Sequence, residues 1–354
     1  MPKTLRLVLS GPGLIGKVHA KIISDNDECL LAAIVGPDTE ENRTVAENLN
    51  VAFYSDFETA IDAEIVDGAI ISSPNSFHFS QAMACVKRGL PALIEKPITS
   101  DLNEAAVLTK AAEAADVPIL VGHHRTYSSL LDAARDFLRS QAFGRLVALQ
   151  GSALFLKPDH YFRDGPWRAL KGGGPILINM IHEVGLMREF GGEIDAVQAI
   201  AGHEIRNFEV EDTVAISIKF AGGALGTFLL SDAAASSKSW EMTSGENPAY
   251  PYFPDEACYH FAGTNGSLDF PSMRIKTYSP SEVRSWWNPF EEYKLDVIRI
   301  DPLKIQISHF LDVIRGNALP RVSARNGYIN MLVVDAIIRS IQTRNLVNVN
   351  YKML

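Results

Sequence analysis

The sequence predicts a two-part α/β protein: a parallel sheet with helices on both faces, followed by an α+β domain on an open-faced, mainly antiparallel sheet. Up to about Gly122, short apolar runs alternate with helical patterns, which is the pattern of a parallel sheet. After Tyr127, strand-like segments follow one another with turn residues between them. The 354 residues also exceed what one hydrophobic core usually holds. Domains are expected at residues 1–122 and 123–354.

In the first part, residues 5–10 read as a buried strand, and Leu14, Val18 and Ile22 then recur at helical spacing. Residues 30–35 and 68–72 are the second and third apolar runs. A helix follows with Phe79, Met83 and Val86 on one face, ending near Gly89. Residues 92–95 form the fourth run, Asp101 and Glu104 a capping box, and 117–121 the fifth strand. In the second part, 130–138 is an amphipathic helix, 146–156 a strand and 176–190 a helix. Residues 213–220 alternate, with Val214, Ile216, Ile218 and Phe220 on one face, as in a sheet covered on one side. Strands at 225–230, 259–262, 267–270 and 273–278 continue the series. Residues 245–255 read as a long loop and 305–339 as mostly helical.

The formal charge of −9 excludes a broad nucleic-acid surface but not a local basic pocket. Three dispersed cysteines, Cys29, Cys85 and Cys258, have no zinc-type spacing and fit a reducing compartment. The first apolar stretch is too short for a signal peptide, and no run is long enough to span a bilayer. The expectation is a cytoplasmic protein without a metal, a nucleic-acid partner or a membrane partner.

Gly11-Pro12-Gly13-Leu14-Ile15-Gly16 lies between the first strand and the first helix. Glycines at these positions allow a tight turn, close approach of backbone to a pyrophosphate, and helix–strand packing. The helix N-terminus adds N–H donors and a positive dipole end. This predicts a Rossmann-type site for NAD or NADP. An acidic residue is expected at the end of the second strand to hold the ribose hydroxyls. Gly36 stands there, with Asp38 two positions on and Arg43 as a partner for a 2′-phosphate. NAD is favoured because no basic cluster follows Gly36. Glu95-Lys96-Pro97 ends the fourth strand, on the sheet edge where ligands bind in open α/β folds. A lysine there can polarise or deprotonate a hydroxyl, although alone it reads as a surface lysine. Ser73, Pro74, Asn75 and His78 line the same edge, with Asn75 or Ser76 a possible helix cap.

Together these segments resemble the Gfo/Idh/MocA oxidoreductases over nearly the whole chain. The resemblance continues through Gly172-Gly173-Gly174 leading to His182, Glu211-Asp212-Thr213, Gly263-Thr264-Asn265-Gly266 and Arg325-Asn326. It implies that Lys96 and His182 flank the substrate as catalytic residues, and that Ser73, Pro74, Asn75, His78 and Glu95 border the cofactor. It also implies that the stretch from Lys157 to Arg168, with Tyr161 and Trp167, approaches nicotinamide and substrate. His124 and Arg125 border the site from the domain junction. Family habit gives a homodimer or homotetramer through the open sheet face.

One departure concerns the residue four before His182, often aspartate in the family. Here it is Ile178, followed by Asn179. Asn179 is then a substrate contact near His182, and the proton relay leans on Lys96 and on Glu183. The expected reaction is reversible oxidation of a secondary alcohol of a sugar, polyol, sugar acid or cyclic diol. The alternatives are glycoside cleavage by transient oxidation and a non-catalytic dinucleotide sensor. Glu241 to Tyr252, with Trp240, is expected over the pocket mouth, and Trp286-Trp287 in a core or interface.

Overall fold

A computed structural model describes residues 3–279, 281 and 283–351. In chain order the elements begin β1 (Leu5–Ser10), α1 (Leu14–Ser24), β2 (Cys29–Val35), α2 (Glu40–Asn48), β3 (Ala52–Tyr54) and α3 (Phe57–Ala63). They continue β4 (Gly68–Ile71), α4 (His78–Lys87), β5 (Ala92–Glu95), α5 (Leu102–Ala114), β6 (Ile119–Gly122), α6 (Ser129–Leu138), β7 (Leu146–Leu154) and α7 (Asp159–Arg163). Next are α8 (Ile181–Gly191), β8 (Ile194–Gly202), β9 (Thr213–Phe220), β10 (Leu225–Ser231), α9 (Trp240–Thr243) and β11 (Tyr259–Gly263). The last are β12 (Gly266–Phe270), β13 (Arg274–Thr277), β14 (Glu291–Lys294), α10 (Pro302–Ile314), α11 (Ala324–Thr343) and β15 (Val347–Asn348). The first compact unit holds the described residues up to Tyr127 and Pro302–Met331; the second holds those of Ser128–Asp301 and Leu332–Asn350.

In the first unit six parallel strands lie in the order β3-β2-β1-β4-β5-β6. Its strands β4, β5 and β6 are buried along their whole length because both faces are covered, and are apolar except for Glu95. Leu7, Leu9 and Ile23 pack with Ile307, Phe310 and Leu311 of α10, so the chain returns late to close this core. β3, α2 and α3 were not legible in the sequence. α4 buries His78, Ala82, Cys85 and Val86, while Phe79 and Met83 are only half-buried. The Asp101 carboxylate caps α5, accepting from the N–H of Asn103 at 2.8 Å and of Glu104 at 3.1 Å.

The second unit is a nine-stranded sheet in the order β14-β13-β12-β11-β7-β10-β9-β8-β15. It is antiparallel except for β7 and β10, which run parallel with Leu154 opposite Ser231. On β9, Val214, Ile216, Ile218 and Phe220 are buried and Ala215, Ser217 and Lys219 exposed, as the alternation predicts. Phe190 of α8 packs on Phe261 and Phe270, covering the inner face. Leu225, Leu229 and Ile200 lie exposed on the outer face. Trp286 and Trp287 are 85% and 81% exposed, so they are not in the core. Trp240 is buried against Phe270 rather than standing over a pocket mouth.

Candidate active site

All strands of the first sheet end on one edge, and the order reverses between β1 and β4. Ligands bind at such a point in open α/β sheets. Gly11 follows β1 with φ +86°, and a Cβ there would lie 2.4 Å from the Ser72 carbonyl oxygen. The Ser72 hydroxyl donates to the carbonyls of Ser10 and Gly11, both at 2.8 Å, tying the β4 end to the loop. A Cβ on Gly16 would lie 2.0 Å from the Gly11 oxygen. A Cβ on Gly13 would meet nothing within 4 Å. No side chain caps α1 at Gly13, so its first N–H groups are left for a ligand. Ser10, Gly11, Gly36, Pro37, Ser73 and Pro74 line a cleft of about 280 Å³ beside this loop. These features fit a dinucleotide: the loop is closed to side chains where it packs and open where the pyrophosphate must approach.

Asp38 does not line this cleft. Its carboxylate accepts two hydrogen bonds from Arg43, at 2.5 and 2.7 Å, which hold it below the ordinary carboxylate range. Neither Asn75 nor Ser76 caps a helix by its side chain. The Ser73 hydroxyl donates to Gln81 at 2.9 Å.

His78 is buried and sits between two turns of the edge. Its Nδ1 lies 2.8 Å from the Pro97 carbonyl and its Nε2 2.9 Å from the Ser73 carbonyl. Burial holds its pKa below the usual histidine value against the pull of both oxygens. It thus joins the Ser73-Pro74 turn to the turn carrying Lys96.

Glu95, immediately before Lys96, is buried with Oε1 2.8 Å from Nε2 of the fully buried His19. Burial would raise its pKa. The hydrogen bond and charge of His19, with His124 and Lys96, outweigh that and lower it. A Cβ on Gly122 would lie 2.9 Å from this carboxyl group, so glycine makes room for it. His19 was missed in the sequence; its place three residues after Gly16, facing the sheet, was the available signal. Lys96 and His124 are half-buried, and Arg125 is buried in a 3₁₀ turn, His124–Tyr127.

The second unit gathers a different set. Gly172-Gly173-Gly174 leads into a π-turn, Ile176–Met180, directly before α8. A Cβ on Gly173 would lie 2.6 Å from the Trp167 oxygen, and one on Gly174 2.7 Å from the Glu211 carboxylate. Glu211 accepts from the Ile176 N–H at 2.8 Å, and burial raises its pKa. Asp212 accepts from the N–H groups of Ile205 and Arg206, both at 2.9 Å. The Glu211-Asp212-Thr213 motif therefore fixes two loops at once.

Asn179 Oδ1 accepts from Lys157 Nζ at 2.8 Å. Lys157 Nζ also lies 3.5 Å from Asp232, which Arg206 Nε engages at 2.8 Å. Burial lowers the Lys157 pKa to about 8, against the opposing charges of Asp232 and Glu241. Arg206 and Asp232 carry no local sequence signal, since 26 residues separate them. His182 is buried on α8. Glu183 is buried and accepts from the Tyr259 hydroxyl, which commits it to the sheet. Trp167 is half exposed, and Arg168 stacks on Tyr161 with its Cζ 3.9 Å from the ring centre. Among the described residues no group of three His, Cys, Asp or Glu side chains could hold a metal ion, and no helix is long and apolar enough to cross a membrane.

The strand order and the glycine loop define a dinucleotide-binding domain. The signature described as "Oxidoreductase family, NAD-binding Rossmann fold" matches residues 5–123, and the GFO/IDH/MocA C-terminal domain matches 131–269. The chain is 25% identical over 346 residues to the rhizopine catabolism protein MocA of Rhizobium meliloti, covering 96% of each. It is 31% identical over 154 residues to an inositol 2-dehydrogenase of Corynebacterium glutamicum, 43% of this chain and 46% of that one. An Agrobacterium radiobacter oxidoreductase solved with NAD+, L-tartaric acid and magnesium superposes with a TM-score of 0.82 at 19% identity, over 99% and 100% of the two chains. Levoglucosan dehydrogenase with NADH and levoglucosan gives 0.78 at 21% identity, over 98% and 99%. The chain belongs to the Gfo/Idh/MocA oxidoreductase family and is an NAD(P)-dependent dehydrogenase of CH–OH groups.

Proposed function

We propose that the protein oxidises a secondary alcohol of a hydroxylated small molecule, a sugar, polyol, sugar acid or cyclic diol, with NAD as the preferred acceptor. The observation that carries this is the edge of the first sheet: a glycine-rich loop after β1 and Lys96 after β5 end on the same side. When bound, the nicotinamide accepts the carbinol hydride. Lys96 Nζ takes the hydroxyl proton. Ser73, Pro74, Asn75 and His78 shape the cofactor's border, and Glu95 orients the Lys96 turn. In the second unit Lys157, Asn179, Tyr161, Arg168 and His182 hold the substrate.

Preference for NAD is supported by the Asp38–Arg43 pair. A 2′-phosphate near Arg43 would compete with a carboxylate already bound to it. Absorbance of reduced nicotinamide, followed over sugars, polyols and sugar acids with NAD and NADP side by side, tests the proposal. Reduced cofactor should accumulate with some panel members, faster with NAD. Sugar release without net reduced cofactor would instead support glycoside cleavage.

Leu225, Leu229 and Ile200 expose an apolar strip on the outer sheet face, and this face is proposed to meet a second copy of the chain. Light scattering should give a dimer or tetramer, and Leu229→Lys should shift it toward monomer. A wild-type monomer would remove the proposal.

A further inference from the structure

In the second unit Lys157 and Arg168 meet at the ring of Tyr161, and Lys157 and Arg206 meet at the carboxylate of Asp232. Lys157 Nζ lies 5.0 Å from the Tyr161 ring centre and 5.4 Å from that of Phe155. The Arg168 guanidinium carbon lies 3.9 Å from the same Tyr161 ring. Arg206 is committed elsewhere: Nε donates to Asp232 at 2.8 Å and Nη2 to the Lys157 carbonyl at 2.8 Å. That leaves Asp232 with Lys157 only at 3.5 Å.

What remains unused here is donor capacity. An ammonium has three N–H bonds to give: Lys157 gives one to the neutral Asn179 amide oxygen at 2.8 Å and turns a second to Asp232, 3.5 Å away, which leaves the third. Arg168 donates from Nη1 to the Tyr161 carbonyl, while its buried Nε finds no acceptor among the described residues. Gly165 leaves room for this guanidinium, since a Cβ there would lie 2.8 Å from it. The Lys157 side chain is only 11% exposed, so water compensates it poorly. A ligand group that completes such a set must be acceptor-only and anionic.

We propose that Lys157 and Arg168 form an anion subsite for a carboxylate carried by the substrate, so that this enzyme selects sugar acids over the corresponding neutral polyols. This rests on the hydride-transfer reading only in taking the occupant to be the substrate. A planar carboxylate, with two oxygens for two separate donors, suits the pair better than a phosphate ester, which asks for more donors.

The protonation of Lys157 provides the readout. Its pKa of about 8 is set first by burial, then by Asp232, Glu241 and Arg206; Glu211 also acts on it, and Tyr161 lies beside it. At pH 7 the amine is already mostly charged. At pH 9 it is mostly neutral, and a bound anion would draw a proton onto it.

The test is titration calorimetry on the NADH-saturated protein at pH 7 and pH 9, in two buffers of different ionisation enthalpy. The ligands are D-gluconate with D-glucitol, D-galactonate with galactitol, D-xylonate with xylitol, and D-glucitol 6-phosphate. At least one acid should bind about 10- to 100-fold tighter than its alditol, the range of a charge-assisted hydrogen bond. Binding at pH 9 should take up close to one proton, and at pH 7 almost none. Lys157→Gln should lose both preference and uptake, while Lys157→Arg should keep the preference without the uptake. Arg168→Gln should lose the preference and keep the uptake. NADH affinity and Tm of each variant separate these effects from misfolding. Equal binding of acids and alditols, a preference that survives Lys157→Gln, or tighter binding of the phosphate ester would each overturn the proposal. If the acids bind as expected but no hydroxylated substrate reduces NAD or NADP, the subsite stands and the hydride-transfer reading falls.

Discussion

Replacing Lys96 by Met is expected to lower kcat about 10²- to 10⁴-fold, the usual contribution of a positioned acid–base group, while NADH affinity changes little. Methionine keeps the length and apolar bulk of the stem, so the half-buried side chain remains packed. The turn itself is held from behind, by the Pro97 carbonyl on His78 and by the Glu95 carboxylate on His19. Neither contact uses the Lys96 amine. Lys96→Arg should not restore activity, because a guanidinium keeps its proton at any working pH. Single-turnover formation of reduced nicotinamide, with NADH fluorescence titration as the binding control, gives the two numbers. Turnover of the best panel substrate within threefold of wild type would show that Lys96 is not the proton acceptor.

The second large effect is expected at the glycine loop. Gly16→Ala places a methyl group 2.0 Å from the Gly11 carbonyl oxygen and near the Ser72 hydroxyl, at 2.8 Å. The Ser72 side chain is itself hydrogen-bonded to Ser10 and Gly11, so the collision cannot be relieved by one rotamer. Loop and helix must separate. Dinucleotide affinity should fall at least about 100-fold, roughly 2.7 kcal/mol, which is the order of one or two charge-assisted hydrogen bonds. Tm should fall with it. Gly13→Ala is the contrast, since its methyl group meets no protein atom within 4 Å. It should keep Tm and still weaken NADH binding, because the added group stands where the pyrophosphate approaches. Unchanged affinity in both variants would place the cofactor elsewhere.

The first unit was legible because its information is local. A parallel strand covered on both faces is a short apolar run, and the glycine loop sits between one such run and a helix. β3 escaped because it has only three residues, none of them fully buried. Asp38 could be weighed as a ribose ligand, but its partner Arg43 lies one turn further along a helix that the apolar pattern does not reveal. In the second unit strand existence was legible, while pairing was not. Nothing near residue 150 says that β7 lies between β11 and β10. The buried groups of the candidate substrate site suffer most from this. Lys157 meets Asn179 across 22 residues and Arg206 meets Asp232 across 26, and no periodicity reports such contacts. The contact of Glu183 with the Tyr259 hydroxyl, 76 residues away, was equally invisible in the sequence.

The one parallel pair in the second sheet determines which charges can meet. Because β7 and β10 point the same way, the chain leaves both at the same end, and a further bridge joins Leu156 to Ala233. Lys157 and Asp232 therefore emerge side by side, and the Lys157 N–H donates to the Asp232 carbonyl at 2.9 Å. Reversing one strand would send Asp232 to the far end of a seven-residue ladder, about 20 Å away. The spacing of this ion pair is thus inherited from backbone hydrogen bonding rather than from loop conformation. Surrounding loops can diverge in length and sequence between relatives, altering the shape of what is accepted, while the ammonium and its carboxylate stay in register.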